Sequence, residues 1–217
     1  MSAKAVANET MEKLVSLCKR RGYVYPPRWA GYPGYRPGVG NVNVGGNVNI
    51  GAAIQAISYL TNENIWAISM SFGSGQFYQP MANACQAAWD YGAVLFGGAG
   101  NDYQRGQFYP ASYNGVENVA ASNSGDHKAD FSNWGPWIDI TAPGVGIYST
   151  VTRASGSYGT MDGTSMACPL AAGVASWVKS WDPALTNQEV LDIMHEACDT
   201  MPDSLFRIGE CGAGRVS

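Results

Sequence analysis

From Ile50 onward the chain alternates short apolar runs with helix-length amphipathic stretches, and that alternation restricts the fold more than any other feature. Residues 50–63 carry a helical pattern, and Ile65 to Phe72 (IWAISMSF) is an apolar run closed by Gly73. Residues 78–91 are helical again. Ala93 to Phe96 (AVLF) is a second apolar run, leading into Gly97–Gly98–Ala99–Gly100–Asn101–Asp102. Further strands are expected at about Glu117–Ala121 and Trp137–Thr141. Helices are expected from near Ser165 to about Ser180, and from about Asn187 to Ala197. Apolar strands separated by helices make a mainly parallel sheet covered on both faces. The expectation is an α/β three-layer sandwich with its site at the carboxyl ends of the strands.

The first 49 residues differ in character. Residues 8–21 read as an amphipathic helix, capped by Asn8 or Thr10, with Met11, Leu14, Val15 and Cys18 on its apolar face. Tyr23 to Gly40 is rich in Gly, Pro and aromatics and reads as loop or extended chain. The near-repeat Gly40–Gly45 and Gly46–Gly51 fits a hairpin turning at Gly45–Gly46. The division expected is an atypical segment 1–49 followed by a domain at 50–217.

Composition narrows the partners. The 217 residues suffice for one sizeable core or two small domains, and 46% are hydrophobic. The net charge of −4 and pI of about 5.1 disfavour a nucleic-acid partner, and Lys19–Arg20–Arg21 reads as a solvated helix end. No apolar run reaches the ~18 residues of a membrane span, so no membrane partner is expected. Met1 to Glu9 shows no apolar signal core, and localisation is left open. The five cysteines, Cys18, Cys85, Cys168, Cys198 and Cys211, lack metal-ligand spacing. Cys198 and Cys211 could pair across a loop, but free buried thiols are the simpler reading.

One short segment carries chemistry. Asp162–Gly163–Thr164–Ser165–Met166–Ala167–Cys168–Pro169 opens a helix with a serine in its first turn. A helix N-terminus is a positive field with unpaired N–H groups, which can hold the oxyanion formed when a serine attacks a carbonyl. Gly163 lets a substrate backbone come close, and Pro169 is expected within the first turn. A plain serine cap on a small-residue helix explains the local signal equally well.

The wider sequence separates these readings. The Ser165 segment resembles the nucleophile loop of subtilisin-like serine peptidases. Further segments resemble the same family in order and spacing: Ile68–Gly73, Val94–Asn101, Tyr109–Tyr113, Phe131–Gly135, Asp139–Gly144 and Gly212–Val216. The likeness runs from about residue 50 to the C-terminus. It implies a truncated subtilase fold and a serine endopeptidase acting on a peptide or protein substrate. Ser165 would be the nucleophile, and Asn101 with the Ser165 N–H would form the oxyanion hole. Ser71, Phe72 and Gly73 would pair with extended substrate, and Gly98, Ala99 and Gly100 would wall the P1 pocket.

The resemblance breaks at one point. The family triad runs Asp, His, Ser along the chain, with the aspartate after the first strand and the histidine opening a helix. This chain has no Asp before Asp90 and no His before His127. His127, in the loop after the third strand, is the weak substitute for the base, and His195 reads as a surface or packing residue. The expectations are a chain inactive alone, a second chain or a further copy supplying Asp and His, or a catalytically dead homologue acting as a peptide-binding or structural, assembly protein. No cofactor is required. Subtilases often bind calcium; calcium is possible here but not assignable, because no loop offers a convincing cluster of carboxylates, although Asp126, Asp130 and Asp139 are near in sequence. A second, short likeness, Leu14–Tyr25 to the opening of bacterial glycyl-tRNA synthetases, covers a dozen residues, is followed by none of that enzyme's motifs, and carries no functional assignment.

Overall fold

The structure, a computed structural model, describes residues 36–41, 49–151, 155–203 and 209–216, with the backbone alone in the first segment. The helix expected at 8–21, the Asn-Val turn at Gly45–Gly46 and the synthetase-like stretch lie outside the described residues.

Five of the described strands form one all-parallel sheet in the order β1 (Arg36–Asn41), β2 (Ile65–Met70), β3 (Val94–Gly98), β4 (Val116–Ser122) and β5 (Ile140–Pro143). The helices α1 (Ile50–Asn62) and α2 (Gln79–Asp90) cover one face, and α3 (Thr164–Trp181) and α4 (Asn187–Ala197) the other. Alternation along the strands explains both layers. Ile68, Met70 and Leu95 point to α1 and α2, where Ile57, Met81 and Cys85 meet them. Val94, Phe96, Val119 and Ile140 point to α3 and α4, against Ala171, Ala175, Val190 and Ile193. Each large aliphatic side chain buried this way contributes about 1.5–3 kcal/mol of transfer free energy. The three-layer α/β fold is as the sequence implied.

The helix α3 packs against all five strands. Its buried face is built from Ala167, Cys168, Ala171, Ala172 and Ala175, small residues that let the helix lie close to the sheet. A capping box closes the start of α4: Thr186 Oγ1 accepts from Glu189 N, and the Glu189 carboxylate accepts from Thr186 N.

Two features depart from the sequence expectation. Residues 36–41, expected as loop or extended chain, form a sheet strand parallel to β2, so residue 50 does not bound the sheet. The register shifts between Arg36 and Val39, the interval holding Pro37, which has no N–H to give to a ladder. An antiparallel hairpin of β6 (Ile147–Thr150) and β7 (Tyr158–Met161) also stands ahead of α3, where no strand was expected. The Tyr148 and Tyr158 rings stack on it at 5.9 Å.

Candidate active site

The carboxyl ends of β2 and β3 and the start of α3 meet at one point. Gly163 precedes α3 with φ 154° and ψ 157°, a backbone state open to glycine and strained for other residues. Ser165 follows as the second helical residue, half-buried, with an N–H that has no partner within the helix.

The next helical turn contains Pro169, beyond the first turn where the sequence placed it. A proline there removes the N–H that would bond the carbonyl four residues back, which is Ser165 O. Ser71 Oγ donates to that carbonyl instead, at 2.9 Å. The Ser165 hydroxyl faces the same segment, with its Oγ 3.5 Å from Ser71 O. Below them the buried Cys168 thiol lies 3.3 Å from Ser69 Oγ, and burial pushes its pKa up. Ser71, Phe72 and Gly73 thus run from the end of β2 past the serine. Beyond them, Phe72, Gly73, Tyr78, Met81 and Tyr109 help line a cavity of about 360 Å³.

Asn101 lies across from Ser165 on the loop after β3. Its Oδ1 accepts from Thr164 N at 2.9 Å and from Thr164 Oγ1 at 3.0 Å. With the oxygen occupied, Nδ2 is the free end of an exposed side chain, close to Gly163. Gly98, Ala99 and Gly100 are buried behind it, and Gly100 N donates to Thr164 Oγ1 at 3.2 Å. The Asn101 amide and the Ser165 N–H both approach Gly163, and such a pair of donors beside a serine can stabilise the oxyanion of acyl transfer.

His127 falls in another cluster. Its Nδ1 meets Asp203 Oδ1 at 3.0 Å, and Asp203 Oδ2 also accepts from Lys128 N at 2.6 Å. Among the described residues no hydrogen bond joins a histidine to Ser165. His195, on α4, pairs through Nε2 with the buried Glu117 at the start of β4, a contact that no sequence pattern signals. Burial opposes its imidazolium, but Glu117 and Asp139 outweigh that and leave its pKa raised. Burial, then the Glu117 charge, pushes Asp139 up to about 7.

The three aspartates considered for calcium are not gathered. Asp126 pairs with Arg215 at 2.7 Å, and Asp139 accepts from Asn118 N at 2.7 Å. Among the described residues no group of three or more His, Cys, Asp or Glu is placed to hold a metal ion. Cys85, Cys168, Cys198 and Cys211 are all free thiols.

This constellation agrees with what the chain is similar to. The profile of the subtilase family matches residues 32–209, and the chain belongs to that family. The chain is 38% identical over 173 residues to a thermostable alkaline protease of Halalkalibacterium halodurans, covering 79% of this chain and 47% of that protein. It is 31% identical over 169 residues to subtilisin DY of Bacillus licheniformis, covering 76% and 61%. A solved protease structure from Pseudoalteromonas arctica superposes with a TM-score of 0.69 at 31% identity, over 76% of this chain and 56% of that one. The chain therefore spans less than two thirds of the length of these relatives.

Proposed function

We propose that this chain carries the nucleophile and oxyanion hole of a serine endopeptidase. Ser165 Oγ attacks the scissile carbonyl carbon and passes its proton to a base. The carbonyl oxygen, now an anion, is held by Asn101 Nδ2 and the Ser165 N–H. Collapse expels the amine, which takes up the proton, and water then releases the acyl group from Ser165. Ser71–Phe72–Gly73 aligns the substrate as an added strand, and Gly98–Ala99–Gly100 backs the P1 side.

The observation that carries this reading is the fixing of Asn101 Oδ1 by both Thr164 donors, which leaves its N–H₂ for the substrate oxygen. The base and its orienting carboxylate come from outside the residues described, through a second chain or a second copy. A second reading, a peptide-binding homologue without turnover, is favoured by the single polar contact of Ser165 Oγ with a backbone carbonyl rather than with a base.

A fluorophosphonate probe followed by intact mass separates them. Adduct formation that disappears in Ser165→Ala supports the peptidase reading. No adduct, alone or with candidate partner chains, leaves the binding reading.

A further inference from the structure

The oxyanion loop has a support that the mechanism above does not use. Asn133 follows Ser132 in the turn between β4 and β5, far from Asn101 in sequence, and is 1% exposed. Its side chain enters the back of the loop 98–104. Nδ2 donates to Ala99 O at 3.0 Å. Oδ1 accepts from Asp102 N at 3.0 Å and from Gln104 N at 3.2 Å. Its backbone N–H donates to Gly100 O at 3.0 Å. Asn133 thus holds the residues on both sides of Asn101 while leaving Asn101 itself untouched.

The geometry leaves room for little else. A Cβ on Gly100, whose φ is 98°, would collide with Asn133 Nδ2. The loop that presents Asn133 is pinned in turn. Lys128 Nζ donates to Ala129 O at 2.7 Å and to Ser132 O at 3.1 Å. Tyr103 N donates to Phe131 O at 2.9 Å. A buried asparagine that satisfies one acceptor and two donors of one loop fixes that loop in one conformation, because losing it leaves three backbone groups without that partner.

We propose that Asn133 is a positioning residue for the oxyanion hole, setting where the Asn101 amide stands relative to Ser165. The inference rests on the acyl-transfer reading of Ser165. An oxyanion donor must sit within a few tenths of an ångström of its working place, and removing such a donor costs about 10²–10³ in kcat, a magnitude known from subtilisin itself.

The test compares Asn133→Ala, Asn133→Asp, Asn101→Ala and the double variant Asn101→Ala/Asn133→Ala. Two readouts are used: amide hydrogen exchange at Asp102 and Gln104, and the rate of Ser165 phosphonylation by a fluorophosphonate. Asn133→Ala is expected to speed exchange at both amides by at least tenfold and to slow labelling nearly as much as Asn101→Ala. The double variant is expected to be no slower than Asn101→Ala, since a brace has nothing to hold once its amide is gone. Asn133→Asp keeps the acceptor oxygen that receives both amides and should preserve exchange protection at Asp102 and Gln104. Independent losses that multiply in the double variant would overturn the inference, as would unchanged exchange in a folded Asn133→Ala. If wild type is not labelled, the peptidase reading fails, while the exchange arm still decides whether Asn133 holds the loop.

Discussion

The two ends of the sheet use polar groups in opposite ways. At the carboxyl end, Ser71, Asn101, Asn133, Thr164 and Ser165 form a lattice of neutral hydroxyls and amides, each spent on a backbone group or on one another. At the amino end, Glu117, Asp139 and His195 bury titratable groups beside one another, lining a cavity with Trp89 and Leu191. The first arrangement places dipoles without depending on pH. The second couples folding to protonation. A catalytic end built only of neutral dipoles can stabilise a transition state but cannot move a proton. Among the described residues no histidine is hydrogen-bonded to Ser165 at this end.

The largest effect is expected at Ser165. Ser165→Ala removes the proposed nucleophile, and complete loss of covalent labelling is expected by intact mass. Asn101→Ala should leave labelling at Ser165 but slow it by about 10²–10³, read from the time course.

The amino end predicts a pH effect on stability. Asp139 ionises near 3.8 when unfolded but near 7 in the fold, so the folded state retains a proton that the unfolded state has lost. Stability therefore falls as pH rises between those values. His195 acts in the same direction, since its raised pKa gives stability that is lost as pH rises through the folded value. Asp139→Asn should flatten this slope and raise stability at pH 8, by up to about 4 kcal/mol, in urea melts at pH 5 and pH 8. A slope unchanged in Asp139→Asn would assign the effect elsewhere.

The smallest effect belongs to Ser71. Ser71→Ala leaves Ser165 O without a donor, because Pro169 offers none, and should cost about 1 kcal/mol. Adding Pro169→Ala restores an N–H at that position and should recover the loss. Failure to recover in urea melts would show that Ser71 acts through something other than that carbonyl.

Much of this was legible in the sequence because it is local. The strand and helix periods, the glycine-rich end of β3 and the Ser165 loop each lie within a few residues. The edge strand β1 was not legible, since Pro37, Gly38 and Gly40 spoil a strand pattern and only pairing with β2 makes one. The β6–β7 hairpin hid for a related reason: it is mostly exposed and has no apolar alternation. Asn133 was visible only as part of a family-like segment. Its brace on Ala99 and the pairing of His195 with Glu117 are tertiary contacts between residues 34 and 78 positions apart, beyond the reach of any periodicity. The expectation for Pro169 failed because the compensating donor, Ser71, comes from another strand's end.

If the carboxyl end is a formed oxyanion site around Ser165, it captures a transition-state analogue whatever supplies the base. Binding of a peptide boronic acid, followed by boron-11 NMR, tests it without requiring turnover. A tetrahedral adduct that is absent in Ser165→Ala and weakened in Asn101→Ala is the predicted result. Boron that stays trigonal with the wild-type chain at saturating peptide would contradict it.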